Sequence, residues 1–381
     1  MLDGSYRFFC ESRLILREFF YYRIIKKIFL ILSKFKDSMV KKLLLLLFPY
    51  FIFAQKTQFI ELRNSIKNKN HSAKSLTLLD RREDKTIGII SHRKEPYEVK
   101  FEKEDLEKLF SDWFIEDNKV QGTIHYFLVL ENLKVNDIPA ERSVSGHLEM
   151  KMSTFLKKND KYYFLKKRTI SKDYLQRDHA YITRAIAAKI SSELANIIKD
   201  SYTETGLSIP ILEADLVNYE KIIPEKLSIY NSETFIDGVY KDYKSFAEQK
   251  PDKEFAIKKN KDGVIRGVKR VDGYDNFGKD VFAIIDNGIA YKKTPVSIIE
   301  IEKDSDGIFI MASQEEIFPQ YNSTPVIVGA GAAGGIIGGL VVAIIDVAAT
   351  KSRKQNATYY RIGIDQLTGE YILPENFGKT K

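Results

Sequence analysis

With 381 residues, 44% of them hydrophobic and 29% charged, the chain has an ordinary globular composition and a length suited to two or three packed domains. Its single cysteine, Cys10, excludes an intramolecular disulfide and any cysteine-based metal site. A formal net charge of +8 would suit nucleic acid or an anionic surface only if the basic residues shared one folded face, so their place along the chain decides its meaning.

Residues 1–38 are aromatic and basic without periodicity. Met39-Val40-Lys41-Lys42 then opens a second beginning: two lysines, the apolar run Leu43 to Phe53, and the small residue Ala54 before Gln55. A short cationic stretch, an apolar stretch and a small final residue make a secretory signal, and the run is too short for a convincing spanning helix. The expectation is translation from Met39, residues 1–38 as a gene-model extension, and cleavage after Ala54. An uncleaved N-terminal anchor is the alternative, since Ile52 is larger than the ideal residue at its position. Cleavage would leave a mature chain of only +2, which removes the main support for a nucleic-acid partner. Cys10 would go with the discarded part, and no cysteine follows the run, so a lipid-modified cysteine of the usual bacterial kind is not expected. The expected location is the cell envelope, periplasmic or membrane-associated.

Residues 55–85 are polar and irregular around Lys67 to Ser72 and read as a linker or a loosely held leading strand. An α+β domain is expected over 86–210. Ile87 to Ser91 suits a strand; Glu102 to Asp117 has helical spacing with Leu106, Leu109, Phe110 and Trp113 on one side; Tyr126 to Leu130 suits a buried strand. Val144, Gly146, Leu148, Met150 and Met152 alternate with polar residues, predicting a strand with one wet face, and Lys158-Asn159-Asp160 turns into another through Tyr162 to Leu165. Asp178 to Tyr202 carries the apolar stripe Ile182, Ile186, Ile190, Leu194, Ile197 and Ile198, with Asp178 as its expected cap. The run Val144 to Phe155 followed by the helix Ala180 to Ile198 resembles the small periplasmic α+β domain of auxiliary lipoproteins that assist envelope transporters and cell-wall synthases. That resemblance implies a docking domain without a catalytic motif.

Ile209-Pro210 and Ile223-Pro224 bracket a connection to a mainly antiparallel β domain, expected over 211–323. Gly238-Val239-Tyr240, then Asp242 to Pro251 with Phe246, resembles a segment of uncharacterised exported proteins of Gram-negative bacteria, which implies class and location but no chemistry. Asp286-Asn287-Gly288 predicts a hairpin between Val281 to Ile285 and Ile289 to Lys292, because Asn-Gly tolerates positive φ. Ile298 to Ile301 and Ile308 to Met311 repeat the arrangement around Asp304 to Gly307.

The chemical motifs are sparse. Gly273 to Lys279 spells most of a phosphate-binding loop, but Asp280 stands where a Ser or Thr would hold magnesium. Asp262-Gly263, Asp272-Gly273 and Asp275-Asn276 lack the spacing of a calcium loop and read as turns. Among His71, His92, His125, His147 and His179, only His125 and His147 fall on neighbouring predicted strands, where a zinc site would still need a further ligand. No Gly-x-Ser-x-Gly elbow occurs. No cofactor and no catalytic residue is expected.

Val326 to Ile345 is a run of twenty uncharged residues, six of them Gly and four Ala, expected as an apolar helix within 324–350. Gly331, Gly335 and Gly339 recur every fourth place, with Ala330, Gly334 and Gly338 beside them, giving a smooth face for close backbone packing. The length suits a bilayer core, and Lys351, Arg353 and Lys354 follow as in a stop-transfer signal. Against a single crossing, Tyr359 to Ile364 and Tyr371 to Leu373 read as a β-hairpin within 351–381 that would most simply rejoin the exported β domain. The fold class expected is α+β: an antiparallel sheet with packed helices, a small antiparallel β domain, then the Gly/Ala-rich helix. The function expected is a non-enzymatic envelope protein that binds a protein partner, with the glycine-zipper helix associating with membrane or with another copy. A periplasmic hydrolase using Asp/Glu and an oligomeric pore are the alternatives.

Overall fold

The computed structural model describes residues 56–93, 95–120, 122–138, 145–272, 281–319 and 357–378. The extension 1–38, the signal-like segment 39–54, the Gly273 to Lys279 loop and the Gly/Ala run with Ala330, Gly331, Gly334, Gly335, Gly338 and Gly339 lie outside the described residues.

Three long antiparallel strands, β5 (Ile124–Ile138), β6 (Ser145–Lys158) and β7 (Lys161–Leu175), form the backbone of the first sheet. Its shorter members are β1 (Lys56–Ile60), β2 (Ala73–Asp80), β3 (Gly88–His92), β4 (Glu95–Phe101) and β8 (Pro210–Ile211), and the order runs β1-β4-β3-β5-β6-β7-β8. β2 lies parallel to the first half of β5, while β3 meets its far half at Gly88 and Val135. Gly88 has φ +133°, and a Cβ there would sit 2.0 Å from the Val135 carbonyl oxygen, so glycine permits that approach.

Residues 56–80 carry β1 and β2, which corrects the reading of 55–85 as a linker and turns its alternative, a loosely held leading strand, into two firmly held ones. The segment is polar, yet its polar groups are spoken for: the Ile66 N–H donates to Asp117 Oδ2 at 2.5 Å, and the Asn68 N–H to Asn118 Oδ1 at 2.7 Å. Ala73, Leu76 and Leu78 are buried. Low hydrophobicity signals looseness only when the backbone lacks such partners.

Two helices cover one face of this sheet. Helix α1 (Leu106–Asp117) starts later than its periodicity suggests, because Asp105 accepts a hydrogen bond from the Lys108 N–H at 2.9 Å and so caps it. It buries Leu109, Phe110, Trp113 and Phe114, each worth about 1.5–3 kcal/mol of apolar burial. Helix α2 (Ile182–Ser201) buries the predicted isoleucine stripe. Its expected cap is corrected: Asp178 lies in a preceding turn, and Tyr181 takes the N-cap position without capping the first turn by its side chain. These helices, with Leu148, Met150 and Met152 of β6, form the first core.

After β8 come a 3-10 turn at Glu213–Val217 and the short helices α3 (Tyr219–Lys226) and α4 (Ser228–Asn231). Next follow β9 (Gly238–Tyr240), α5 (Tyr243–Ala247) and a separate hairpin of β10 (Phe255–Lys259) with β11 (Ile265–Arg270). The second sheet is antiparallel throughout. Its remaining strands are β12 (Ala283–Asp286), β13 (Ile289–Lys293), β14 (Ile298–Asp304), β15 (Gly307–Ser313), β16 (Tyr359–Ile364) and β17 (Tyr371–Ile372), in the order β17-β16-β15-β14-β13-β12-β9. Asn287 and Gly288 turn β12 into β13 with φ +53° and +76°, as the Asn-Gly pair predicts. A further short helix, α6 (Gln314–Ile317), follows β15.

A second core joins the sheets. Val129, Phe155, Tyr162 and Phe164 on the other face of the first sheet pack with Tyr219, Ile223 and Phe246 and with Ile285, Ile310 and Ile362 of the second. The described fold is thus mixed α+β with predominantly antiparallel sheets. Among the described residues, no helix is long and apolar enough to cross a membrane.

Candidate functional site

Alternation along β6 sends Leu148, Met150 and Met152 into the helix-side core and His147, Glu149, Lys151 and Ser153 to the opposite face. The second sheet covers only part of that opposite face, and a chain of polar contacts runs along the boundary. It begins with the buried Ser153, whose hydroxyl is 2.5 Å from Tyr219 OH and donates to Glu131 Oε1 at 2.9 Å. Tyr219 OH also donates to Glu131 Oε1, at 2.7 Å. Lys151 Nζ lies 3.1 Å from Glu131 Oε2 and 2.5 Å from Glu220 Oε2. Glu220 continues to Lys167 Nζ at 3.2 Å, and Lys167 reaches Asp365 Oδ2 at 2.6 Å. Asp365 is fixed in turn, because its Oδ1 accepts from the N–H groups of Leu367 and Thr368, both at 2.9 Å.

This chain ties β5, β6, β7 and α3 to the loop between β16 and β17. Beside its Asp365 end lies a cavity of about 420 Å³ lined by Lys167, Glu220, Asp306, Arg361, Asp365, Gln366 and the apolar residues of the tail hairpin. The charges in the chain are held fixed. Burial works against charge on Lys151 and Lys167, but the carboxylates of Glu220, Glu131 and Asp365 outweigh it and hold both lysines above their ordinary value. Burial likewise works against charge on Glu220 and Asp365, and their lysine partners outweigh it, leaving both acids below the usual carboxylate range. Burial, reinforced by Glu131, raises the Tyr219 hydroxyl far above its ordinary value. Lys151, Lys167, Glu220, Asp365 and Tyr219 are all shifted away from the neutral range in which acid–base catalysis exchanges protons.

Farther out on the same face, His147 Nδ1 is 2.5 Å from Asp173 Oδ1, and His147 Nε2 is 3.3 Å from Glu149 Oε1. Ser171 Oγ lies 3.4 Å from that Nε2. The residue types are those of a nucleophilic triad, but Glu149 competes for the nitrogen a serine would need. The two carboxylates also address opposite sides of the ring, which does not converge on one metal position.

The predicted meeting of His125 and His147 is corrected. His125 pairs with Lys157 near the start of β5, whereas His147 pairs with Asn136 near its end. Strand pairing alone made them neighbours, and the length of the register separates them. His125 instead has Ser75 Oγ 2.7 Å from its Nδ1. Among the described residues, no group of three or more His, Cys, Asp or Glu is arranged to hold a metal ion. Asp262-Gly263 forms the β10–β11 turn, with Gly263 at φ +80°. The six zipper positions fall outside the described residues. The Lys151–Glu220–Lys167–Asp365 chain had no sequence signal, since its links span 69, 53 and 198 positions.

Together these features define a mixed α+β protein with two joined sheets and an ionised polar seam between them. No family model matches the chain, and no curated protein matches it. Among solved structures, a minor lipoprotein from Acinetobacter baumannii is 12% identical over 36% of this chain and 98% of that chain, with a TM-score of 0.22. Likeness at that level carries no argument about fold or role, and the resemblance to exported glycine-zipper proteins finds no support in the family comparison.

Proposed function

We propose that the chain is a non-enzymatic protein of the cell envelope that binds a protein partner through its exported α+β and β layers and associates with the membrane, or with a second copy, through the Gly/Ala run Val326 to Ile345. The observation that carries this reading is where the run is inserted. Residues 320–356 leave after β15 and α6 and return as β16, and β15 and β16 are direct antiparallel partners from Ile308↔Ile364 to Ser313↔Tyr359. The sheet needs only a short connection there, so an insertion of this length, with its uncharged run Val326 to Ile345, is surplus to closing it.

Its two ends emerge from one sheet, which weighs against a single crossing that would put Tyr359 on the far side of the bilayer. A run of this length spans about 30 Å as one helix, but folded back on itself it offers two arms of about 15 Å each. Such arms reach into one leaflet of a core about 30 Å thick. Six glycines in water would each cost about 1 kcal/mol relative to alanine in a helix, so the run needs a supporting surface, lipid or another copy in this reading and the rest of the fold in the alternative. The ionised state of the polar seam favours an interlocking role for it over a hydrolytic one.

The test uses the scarcity of cysteine. In a Cys10→Ser background, Ser323→Cys and Ser352→Cys are labelled separately with a membrane-impermeant maleimide applied from the periplasmic side. Both should react. Labelling of Ser323→Cys alone, with Ser352→Cys reacting only after the inner membrane is opened, would establish a single crossing and refute the proposal.

A further inference from the structure

At the end of the first sheet that carries the β3–β4 hairpin, four side chains converge on the start of α2. The helix is twenty residues long, with no side-chain cap and no acidic residue in its first turn. It therefore presents unpaired N–H groups and the positive end of its dipole. The N-cap residue Tyr181 is 53% exposed, and two guanidinium groups sit over its ring, Arg93 at 5.8 Å and Arg184 at 5.5 Å from the centroid. Neither arginine forms an ion pair among the described residues. Pairing over tyrosine leaves the guanidinium N–H groups unspent, because the ring face takes up charge without accepting those bonds.

Behind Tyr181 lies His92. It is only 5% exposed, and its ring is 5.4 Å from that of Tyr181 and 6.3 Å from that of Tyr97. Both of its ring nitrogens lack a hydrogen-bond partner. Leaving a buried polar group unpaired costs about 1–3 kcal/mol, a penalty that a bound acceptor would remove at the ring nitrogen that carries the hydrogen. Acidic competition nearby is limited. Glu95 is the register partner of His92 and is already engaged, and Asp178 in the turn before the helix lies 3.6 Å from Arg177 Nε.

We propose that this corner is a binding site for a phosphate-class anion, held by Arg93 and Arg184 beside Tyr181 and by the first-turn N–H groups of α2, with His92 as a buried donor behind them. Helix N-termini bind such anions through oriented N–H groups, and guanidinium forks match phosphate oxygens in pairs. Two uncompensated positive charges and the helix end favour phosphate over a singly charged carboxylate. The chemistry is shared by inorganic phosphate and by the phosphodiester of a lipid headgroup. The site is on the first sheet, away from the β15–β16 insertion, and does not depend on how the Gly/Ala run is disposed.

The test compares the full chain with R93Q/R184Q, both exposed positions whose change should leave the fold intact, and with H92F, which fills the buried site without a ring N–H. Inorganic phosphate is titrated by calorimetry at low salt and pH 7. In parallel, the proteins are co-sedimented with vesicles of phosphatidylcholine alone and with vesicles containing 30% phosphatidylglycerol. Phosphate affinity at least tenfold weaker in R93Q/R184Q and several-fold weaker in H92F supports the site with free phosphate as sufficient ligand. Loss of binding to the phosphatidylglycerol vesicles in R93Q/R184Q, without change on phosphatidylcholine, supports it with the headgroup as source. If R93Q/R184Q and the unsubstituted chain behave alike toward both phosphate and the anionic vesicles, the proposal is overturned.

Discussion

Lys292 offers a sharp test of how the second sheet is held, and the perturbation is Lys292→Met. The lysine lies on β13 with 8% exposure, and its Nζ donates to the Phe282 carbonyl at 3.0 Å and more weakly to that of Lys293 at 3.4 Å. Burial, with a smaller contribution from the neighbouring Lys293 charge, pushes its pKa down to about 7. The unfolded chain keeps an ordinary lysine near 10.4, so between about pH 7 and pH 10.4 the unfolded state binds more protons and stability rises with pH. At about 1.4 kcal/mol per pH unit, the wild type at pH 7 sits on the order of 4 kcal/mol below its alkaline plateau on account of this one group. Methionine keeps the length and apolar stem without the charge, and the Phe282 carbonyl still accepts the Lys293 N–H at 3.2 Å. Opposing the shift, the Nζ lies 3.8 Å from the Phe282 ring centroid and 5.6 Å from that of Tyr371, contacts worth up to about 2 kcal/mol to an ammonium when desolvated. Urea unfolding of both proteins at pH 7, 8, 9 and 10 separates the two effects. The stability gap between K292M and wild type should close steadily as pH rises, by about 1 kcal/mol per unit. A gap that stays constant from pH 7 to 10 would mean the ring faces hold the lysine charged, and the burial argument would be refuted.

The seam and the β9 entry give two more tests. D365N and K167M should each lose about 2–3 kcal/mol, at or below the low end for a buried pair because both side chains retain about 15% exposure, and the double variant should lose clearly less than the sum. Additive losses in chemical denaturation would show the contact to be idle. Gly238→Ala places a Cβ 2.5 Å from that of Pro251 at φ +149°, so it should lower stability by about 2 kcal/mol or more. An unchanged melting temperature would contradict that packing.

Periodicity made the helices and most strands legible because those elements bury one face. The stripe from Ile182 to Ile198 and the alternation through Met152 both predict the observed core side. Strand ends were less visible: β5, β6 and β7 each run well past the apolar stretch that suggested them. The extensions of β5 and β7 alternate buried residues such as Leu133 and Tyr174 with the open-face Lys134 and Asp173, and that of β6 carries Phe155 into the second core, so none forms a continuous apolar run. β2 was hidden for a different reason, since its buried Ala73, Leu76 and Leu78 stand in a polar segment and its parallel pairing with β5 leaves no turn signal. The seam was beyond sequence reasoning altogether, as Lys167 and Asp365 meet only once the tail hairpin has docked. At the α2 start, Asp178 stood as the nearest capping residue type and hid the uncapped Tyr181, and the arrival of Arg93 over that tyrosine had no local signal.

The pairing of β15 with β16 changes how the Gly/Ala run is weighed. Composition alone reads the same for a spanning helix, a re-entrant one and a buried one, because all three exclude charge. Pairing does not, because six consecutive residue pairs fix Tyr359 beside Ser313 and so return the chain to the sheet it left. Asp365, six positions beyond Tyr359, then clamps the hairpin to Lys167 of the first sheet at 2.6 Å. A run that crossed once would have to break both this contact, worth about 2–3 kcal/mol, and the ladder, at about 0.5–1.5 kcal/mol per hydrogen bond, a large share of the roughly 5–15 kcal/mol that holds a domain together. The tail hairpin is therefore part of the same folded body as the seam, and the one-sided disposition proposed for the insertion rests on that docking.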